Sequence, residues 1–223
     1  LKRVLLFIFI LLGLVELCTH LFRWPEIHRV VKPLLMPSLL LWYYFAAGAD
    51  RRCGLVVAAL IFSWGGDVLL MFQREARFFM FGLASFLIAH VAYIFSYRRA
   101  RHGSADSADP LDNVRKLRMA FPVLLAGVGL VAVLYPTLEN FRFPVTVYAL
   151  VIQVMVINAV FRYGRTTPLS FWAVLSGALL FMISDSLIAV NKFYAPLAGA
   201  GFWIMVTYLA GQFLIVRGLL AHR

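Results

Sequence analysis

An all-α integral membrane protein of eight transmembrane helices is the fold this sequence predicts, and three observations carry it. Of its 223 residues, 63% are hydrophobic and 15% aromatic, with a strongly positive mean hydropathy. That is more apolar surface than a soluble domain of this length can hide. Eight apolar runs of about 20 residues are each long enough to cross a hydrocarbon layer of about 30 Å as a helix. Basic residues collect at alternate ends of those runs, as they do in multi-pass proteins.

The runs fall at about 4–22, 30–47, 53–71, 78–98, 117–135, 143–163, 168–190 and 197–216. The first follows Lys2 and Arg3 but lacks a small-residue cleavage site, so it reads as a retained anchor. The second opens on Lys32-Pro33 and the sixth on Arg142 with Pro144 close behind. The third contains IFSWGGDVLLMF, residues 61–72. The fourth carries His90, Tyr93 and Tyr97 on one helical face. Residues 99–116, RARHGSADSADPLDNVRK, mix small, polar and charged types and read as a flexible cytoplasmic loop before the fifth run. The other connections are short, so residues 1–223 read as a single transmembrane domain.

With the N-terminus inside, 14 of the 21 lysines and arginines fall on the cytoplasmic side and 7 on the other. Both termini are therefore expected in the cytoplasm. The formal charge of +11 is then mainly a topology signal, and no nucleic-acid partner is expected, since that would need the charges on one folded surface. Cys18, near the outer end of the first helix, and Cys53, at the inner end of the third, are too far apart for a disulfide. Two cysteines and scattered histidines predict no metal site and no cofactor. The short loops suggest a bacterial cytoplasmic membrane.

Of ten acidic residues, only Glu16, Asp67 and Asp185 lie within the runs. Intramembrane acids face a bundle interior or wet cavity and mark function by default. ALIFSWGGDVLL and GALLFMISDSLI share an apolar start, small residues around one aspartate and a closing aliphatic pair. They suggest a weak parallel repeat of four plus four helices. At 1.5 Å per residue, Asp67 would stand roughly 21 Å and Asp185 roughly 25 Å from the cytoplasmic ends of their helices. A purely structural role is the alternative. Ser63 lies one turn before Asp67, Ser184 and Ser186 flank Asp185, Lys192 follows Asp185 by seven residues, and His20 stands at i+4 from Glu16. His90 suits either orientation of a carboxylate or a bond within the bundle. Asn158, Gln153 and Gln212 read as interhelical hydrogen-bonders.

Lys32-Pro33, Ser63-Trp64-Gly65-Gly66-Asp67, Phe86 to His90 with Tyr93, and Phe181 with Ser184-Asp185-Ser186 follow one another in an order that resembles the YhhN-like lysoplasmalogenase family over nearly the whole chain. In the eighth helix, Tyr208-Leu209-Ala210-Gly211-Gln212 matches the family's Tyr-to-Gln pattern only loosely, so no substrate role is carried over to Gln212. The resemblance implies an eight-span enzyme that hydrolyses the vinyl ether bond of a lysophospholipid, the lysoplasmalogen, to a fatty aldehyde and a glycerophospho-alcohol.

That chemistry needs an acid to protonate the alkenyl carbon and a nearby anion or base, the logic of paired carboxylates in glycoside hydrolysis. Asp67 and Asp185 are the expected pair. Lys32 and Lys192 are expected at the substrate phosphate, with His90, Tyr93, Ser63, Ser184 and Glu16 as further substrate-site residues. Two other classes use similar parts. A proton-coupled transporter would want broken helices at mid-membrane, whereas the glycines and prolines here are sparse. An intramembrane aspartyl protease would want Gly-x-Gly-Asp, and Trp64 occupies its first glycine position. A non-catalytic lipid-binding protein is the third alternative.

Overall fold

The computed structural model describes residues 1–49, 52–72, 75–101 and 111–222. They form eight α-helices and no strand: α1 Lys2–Phe22, α2 Pro25–Ala47, α3 Gly54–Leu70, α4 Ala76–Arg99, α5 Asn113–Leu134, α6 Arg142–Val160, α7 Pro168–Phe193 and α8 Ala200–Leu220. Two short 3-10 turns, Tyr135–Thr137 and Glu139–Phe141, join α5 to α6. Seven of the helices are long and apolar enough to cross a membrane, and α3, an apolar helix of 17 residues, is shorter. The chain is thus an all-α integral membrane protein.

Local chemistry moves several boundaries from those expected. Pro25 at the first helical position starts α2 a full turn before residue 30, because the missing N–H belongs to a donor that is unsatisfied there anyway. The loop expected over residues 99–116 is shorter at its far end. The Asp112 side chain accepts from the Arg115 backbone N–H at 2.7 Å, capping α5 so that it begins at Asn113. The centre of that loop, residues 102–110, lies outside the described residues.

Neighbouring helices run α1–α2–α3–α4–α6–α7–α8, with α8 returning to α1 and α2, while α5 packs outside the ring, chiefly on α6. The most extensive pairings are α3 with α4 and α7 with α8. A β-carbon on Gly66 would lie 2.5 Å from the Phe86 ring. The glycine is what lets α4 press an aromatic against α3 beside Asp67. Pro37 within α2 has no N–H to give the carbonyl of Pro33, and the indole Nε1 of Trp64 donates to that carbonyl at 2.9 Å instead. Trp64 therefore repairs a proline break, which gives the residue that spoils the protease motif a structural task.

At one end of the bundle Arg162, just beyond α6, is wholly buried. It donates to Ser170 Oγ at 2.8 Å and to the Ala100 carbonyl at 3.2 Å, and Ser170 Oγ donates to the Gly218 carbonyl at 2.6 Å. Burial lowers the guanidinium pKa to about 10, so it remains charged at neutral pH. One cation thus ties together the ends of α4, α6, α7 and α8.

Candidate functional site

Asp67 on α3 is buried, and its Oδ2 accepts a hydrogen bond from the Tyr208 hydroxyl of α8 at 2.6 Å. Asp185 on α7 accepts from the Tyr148 hydroxyl of α6 at 2.5 Å. Each carboxylate is therefore held by a tyrosine from another helix. The two arrangements meet at one aromatic cluster. The Tyr208 ring packs edge-on against Phe86 and Phe181, with centroids 5.9 and 5.4 Å away. Phe181 in turn meets His90 at 4.7 Å, and His90 meets Tyr148 at 5.3 Å. An unbroken series of ring contacts runs from the tyrosine on Asp67 to the tyrosine on Asp185.

His90 reaches Asp185 from α4. Its Nε2 lies 3.7 Å from Asp185 Oδ2, beyond hydrogen-bond length, and neither ring nitrogen has a hydrogen-bond partner although the side chain is fully buried. On the Asp67 side, Tyr93 donates to Gln212 Oε1 at 2.5 Å, and Gln212 Nε2 donates to Ser63 Oγ at 2.9 Å. Gln212, given no role from the family pattern, thus links α4, α8 and α3 beside the Tyr208–Asp67 pair.

The serines and lysine weighed as purely structural partners of the aspartates bond elsewhere. Ser184 donates to the Ile204 carbonyl and Ser186 to the Met182 carbonyl. Lys192 Nζ sits 4.3 Å over the Phe79 ring. Instead, Lys32 and Lys192 come together. They line one polar pocket of about 190 Å³ with His20, His28 and Asn191. Leu70 and Ile188, on its wall, also line a narrow apolar pocket of about 40 Å³ bounded by Phe79, Leu83, Phe86, Val145, Tyr148 and Asp185. A basic compartment therefore adjoins an apolar one that presents a carboxylate.

Glu16 is fully buried on α1. The sequence pairs it with His20, and Nε2 of that residue lies 3.4 Å from Glu16 Oε1, but the shorter contact, 2.8 Å, is to His28 Nδ1 on α2. The histidines scattered in the sequence are thus partly gathered by the fold. Glu16, His20 and His28 each offer one ligand atom within 4.8 Å of the others, a set able to hold a metal ion. Cys18 and Cys53 are free.

The model of the YhhN family matches residues 27–219. The chain belongs to the YhhN family. Among curated proteins it is 29% identical over 203 residues to the lysoplasmalogenase of Mycobacterium bovis, covering 88% of this chain and 73% of that protein. It is 31% identical over 198 residues to human lysoplasmalogenase TMEM86A, covering 84% of this chain and 77% of the relative. It is also 28% identical to the uncharacterized membrane protein YhhN of Escherichia coli O157:H7 over 200 residues, covering 89% and 90% of the two chains. No solved structure matches.

Proposed function

We propose that this chain is a membrane-embedded lysoplasmalogenase that cleaves the vinyl ether bond with Asp67 and Asp185. The observation that carries this reading is the pair of intramembrane carboxylates, each gripped by a tyrosine hydroxyl and joined through one aromatic cluster. The names of the mycobacterial and human relatives supply the substrate class.

Asp185 borders the apolar pocket, whereas Asp67, held by the Tyr208 hydroxyl, does not line it. That supports Asp185 as the acid. Its carboxyl proton passes to the outer carbon of the alkenyl group, whose π pair forms the new C–H bond and leaves an oxocarbenium ion. Water adds to the carbon bearing oxygen and gives up a proton to the carboxylate. The hemiacetal then collapses: its C–O bond to glycerol breaks as the Asp185 carboxyl protonates the departing oxygen, and the hemiacetal hydroxyl returns its proton to that carboxylate as the C=O forms, releasing aldehyde and glycerophospho-alcohol. Asp67 supplies negative charge to the cationic intermediate, and His90 orients Asp185. Lys32 and Lys192 receive the phosphate. The narrow apolar pocket takes the part of the chain next to the reacting bond, with the remainder in bilayer lipid. Tyr93, Ser63 and Ser184 support the walls through the bonds described, and the bond-breaking steps themselves are carried by side chains and water.

The reading takes the two halves of the bundle as a parallel repeat. It is supported by neighbour pairs that recur: α1–α2 with α5–α6, α2–α3 with α6–α7, and α3–α4 with α7–α8. The deciding experiment is incubation of the purified protein in detergent with a lysoplasmalogen, scoring free aldehyde. Aldehyde in stoichiometric step with glycerophospho-alcohol is expected, and none from folded protein would overturn the assignment.

A further inference from the structure

We infer that Glu16, His20 and His28 form a binding site for a divalent transition-metal cation of the zinc class at the basic end of the pocket. Glu16 and His20 stand at i and i+4 on one face of α1. His28 is brought to them by the tight α1–α2 turn, where Arg23 adopts a left-handed backbone (φ 56°) and Pro25 begins the next helix. The 3.4 Å from His20 Nε2 to Glu16 Oε1 is close to the roughly 3.3 Å that separates ligands around a tetrahedral ion bound at about 2.0–2.1 Å, and the 2.8 Å hydrogen bond between His28 Nδ1 and the same oxygen would open slightly to admit one. Two imidazoles and a carboxylate are a donor set that suits zinc.

Two further features point to a ligand rather than to a self-contained ion pair. Glu16 Oε2 is buried with no hydrogen-bond partner, and so is His20 Nε2. An idle carboxylate oxygen in the interior is costly, and a cation between these atoms would use both. The α8 backbone also makes room for the imidazole, since a β-carbon on Gly201 would collide with His20 Nδ1. Glu16 and His20 precede the family match at residues 27–219.

Three protein ligands leave a fourth position, and His20 and His28 both line the pocket that holds Lys32 and Lys192. An oxygen anion is the chemistry that fits there. Resting on the lysoplasmalogenase reading, that anion is the substrate phosphate, placed by a cation and two ammonium groups.

Metal uptake can be tested without substrate. Purified protein, stripped with a chelator and titrated with Co²⁺, should bind one ion per chain with the visible absorption of a tetrahedral site, and Zn²⁺ should displace it. Glu16→Gln and His28→Gln should each weaken binding by roughly a hundredfold or more, because even outer-shell partners are worth about 10–100-fold. His28→Cys should retain binding and add a sulfur-to-cobalt charge-transfer band. Helix content and monodisperse elution report folding of each variant. Stripped wild type that takes up no Co²⁺ at sub-millimolar concentration would overturn the site. Uptake by Glu16→Gln and His28→Gln equal to that of wild type would do the same, as an adventitious ion only. Because the readout is metal, it stands whether or not aldehyde release is seen.

Discussion

Tyr148 donates its hydroxyl to Asp185 Oδ2 at 2.5 Å across the α6–α7 contact, and the same carboxylate oxygen faces the unpartnered edge of His90 at 3.7 Å. A carboxylate held by one neighbour and approached by another is fixed in orientation while retaining a free lone pair. Tyr208 does the equivalent for Asp67 without a histidine. The two acids are therefore similar in support but different in access, which is what unlike roles in one reaction need.

Replacing either acid tests the pair. Asp67→Asn and Asp185→Asn keep side-chain size and much of the hydrogen bonding while removing the carboxyl chemistry. Each should cut aldehyde release by at least roughly two orders of magnitude. Both proteins should elute like wild type. Folded variants with near wild-type rates would remove the aspartates from the mechanism.

Tyrosine loss should be milder and of a different kind. Tyr148→Phe and Tyr208→Phe keep the ring contacts but delete one hydrogen bond to a carboxylate, worth about 1.5–3 kcal/mol. If that bond positions the acid, kcat should fall by about 10–100-fold while KM holds. A change confined to KM would assign the hydroxyls to substrate binding instead.

The buried Arg162 predicts a stability effect away from the chemistry. Arg162→Met removes the donors to Ser170 and Ala100, so the thermal midpoint in detergent should drop by about 5 °C or more. Arg162→Lys should recover only part of it, because an ammonium cannot reproduce the planar fork. An unchanged midpoint in the Met variant would show that the four helix ends do not depend on this cation.

How much of this the sequence revealed differs from residue to residue. The aspartates are legible because a carboxylate inside an apolar run has no ordinary explanation. Tyr148 and Tyr208 are not, since tyrosines are common in such runs and their partners stand 37 and 141 residues away. Gln212 is visible as a hydrogen-bonder, but nothing local names Tyr93 and Ser63 as its partners. His28 is missed for a different reason. A start expected at residue 30 leaves it in a loop, whereas Pro25 begins α2 early enough to turn it toward Glu16. Lys192 misleads in the opposite way, because its spacing from Asp185 suggests an ion pair, yet its ammonium lies over Phe79.

The orientation expected from the basic residues, with both termini in the cytoplasm, can be checked by cysteine accessibility. In a background with Cys18 and Cys53 replaced by serine, Asn140→Cys between α5 and α6 should react with an impermeant maleimide on intact cells. Thr166→Cys between α6 and α7 should react only after permeabilisation. The reverse pattern would put the termini and the α4–α5 connection outside.

The lysine pocket yields the prediction that separates head-group binding from support of the acids. Lys32 and Lys192 share a compartment with His20, His28 and Asn191, and only Leu70 and Ile188 join it to the pocket bordered by Asp185. The phosphate of a bound lysoplasmalogen would therefore sit apart from the bond that breaks. Contacts to it are the same in ground and transition states, and losing them weakens binding without touching the chemical step. Lys32→Met and Lys192→Met should each raise KM by about tenfold, the value of a modest charge-assisted contact, with kcat held within about twofold. Substrates lacking the phosphate should lose the difference between wild type and variants. A fall in kcat at constant KM would instead mean that a lysine acts on an aspartate, and unchanged kinetics in both variants would take the pocket out of the reaction.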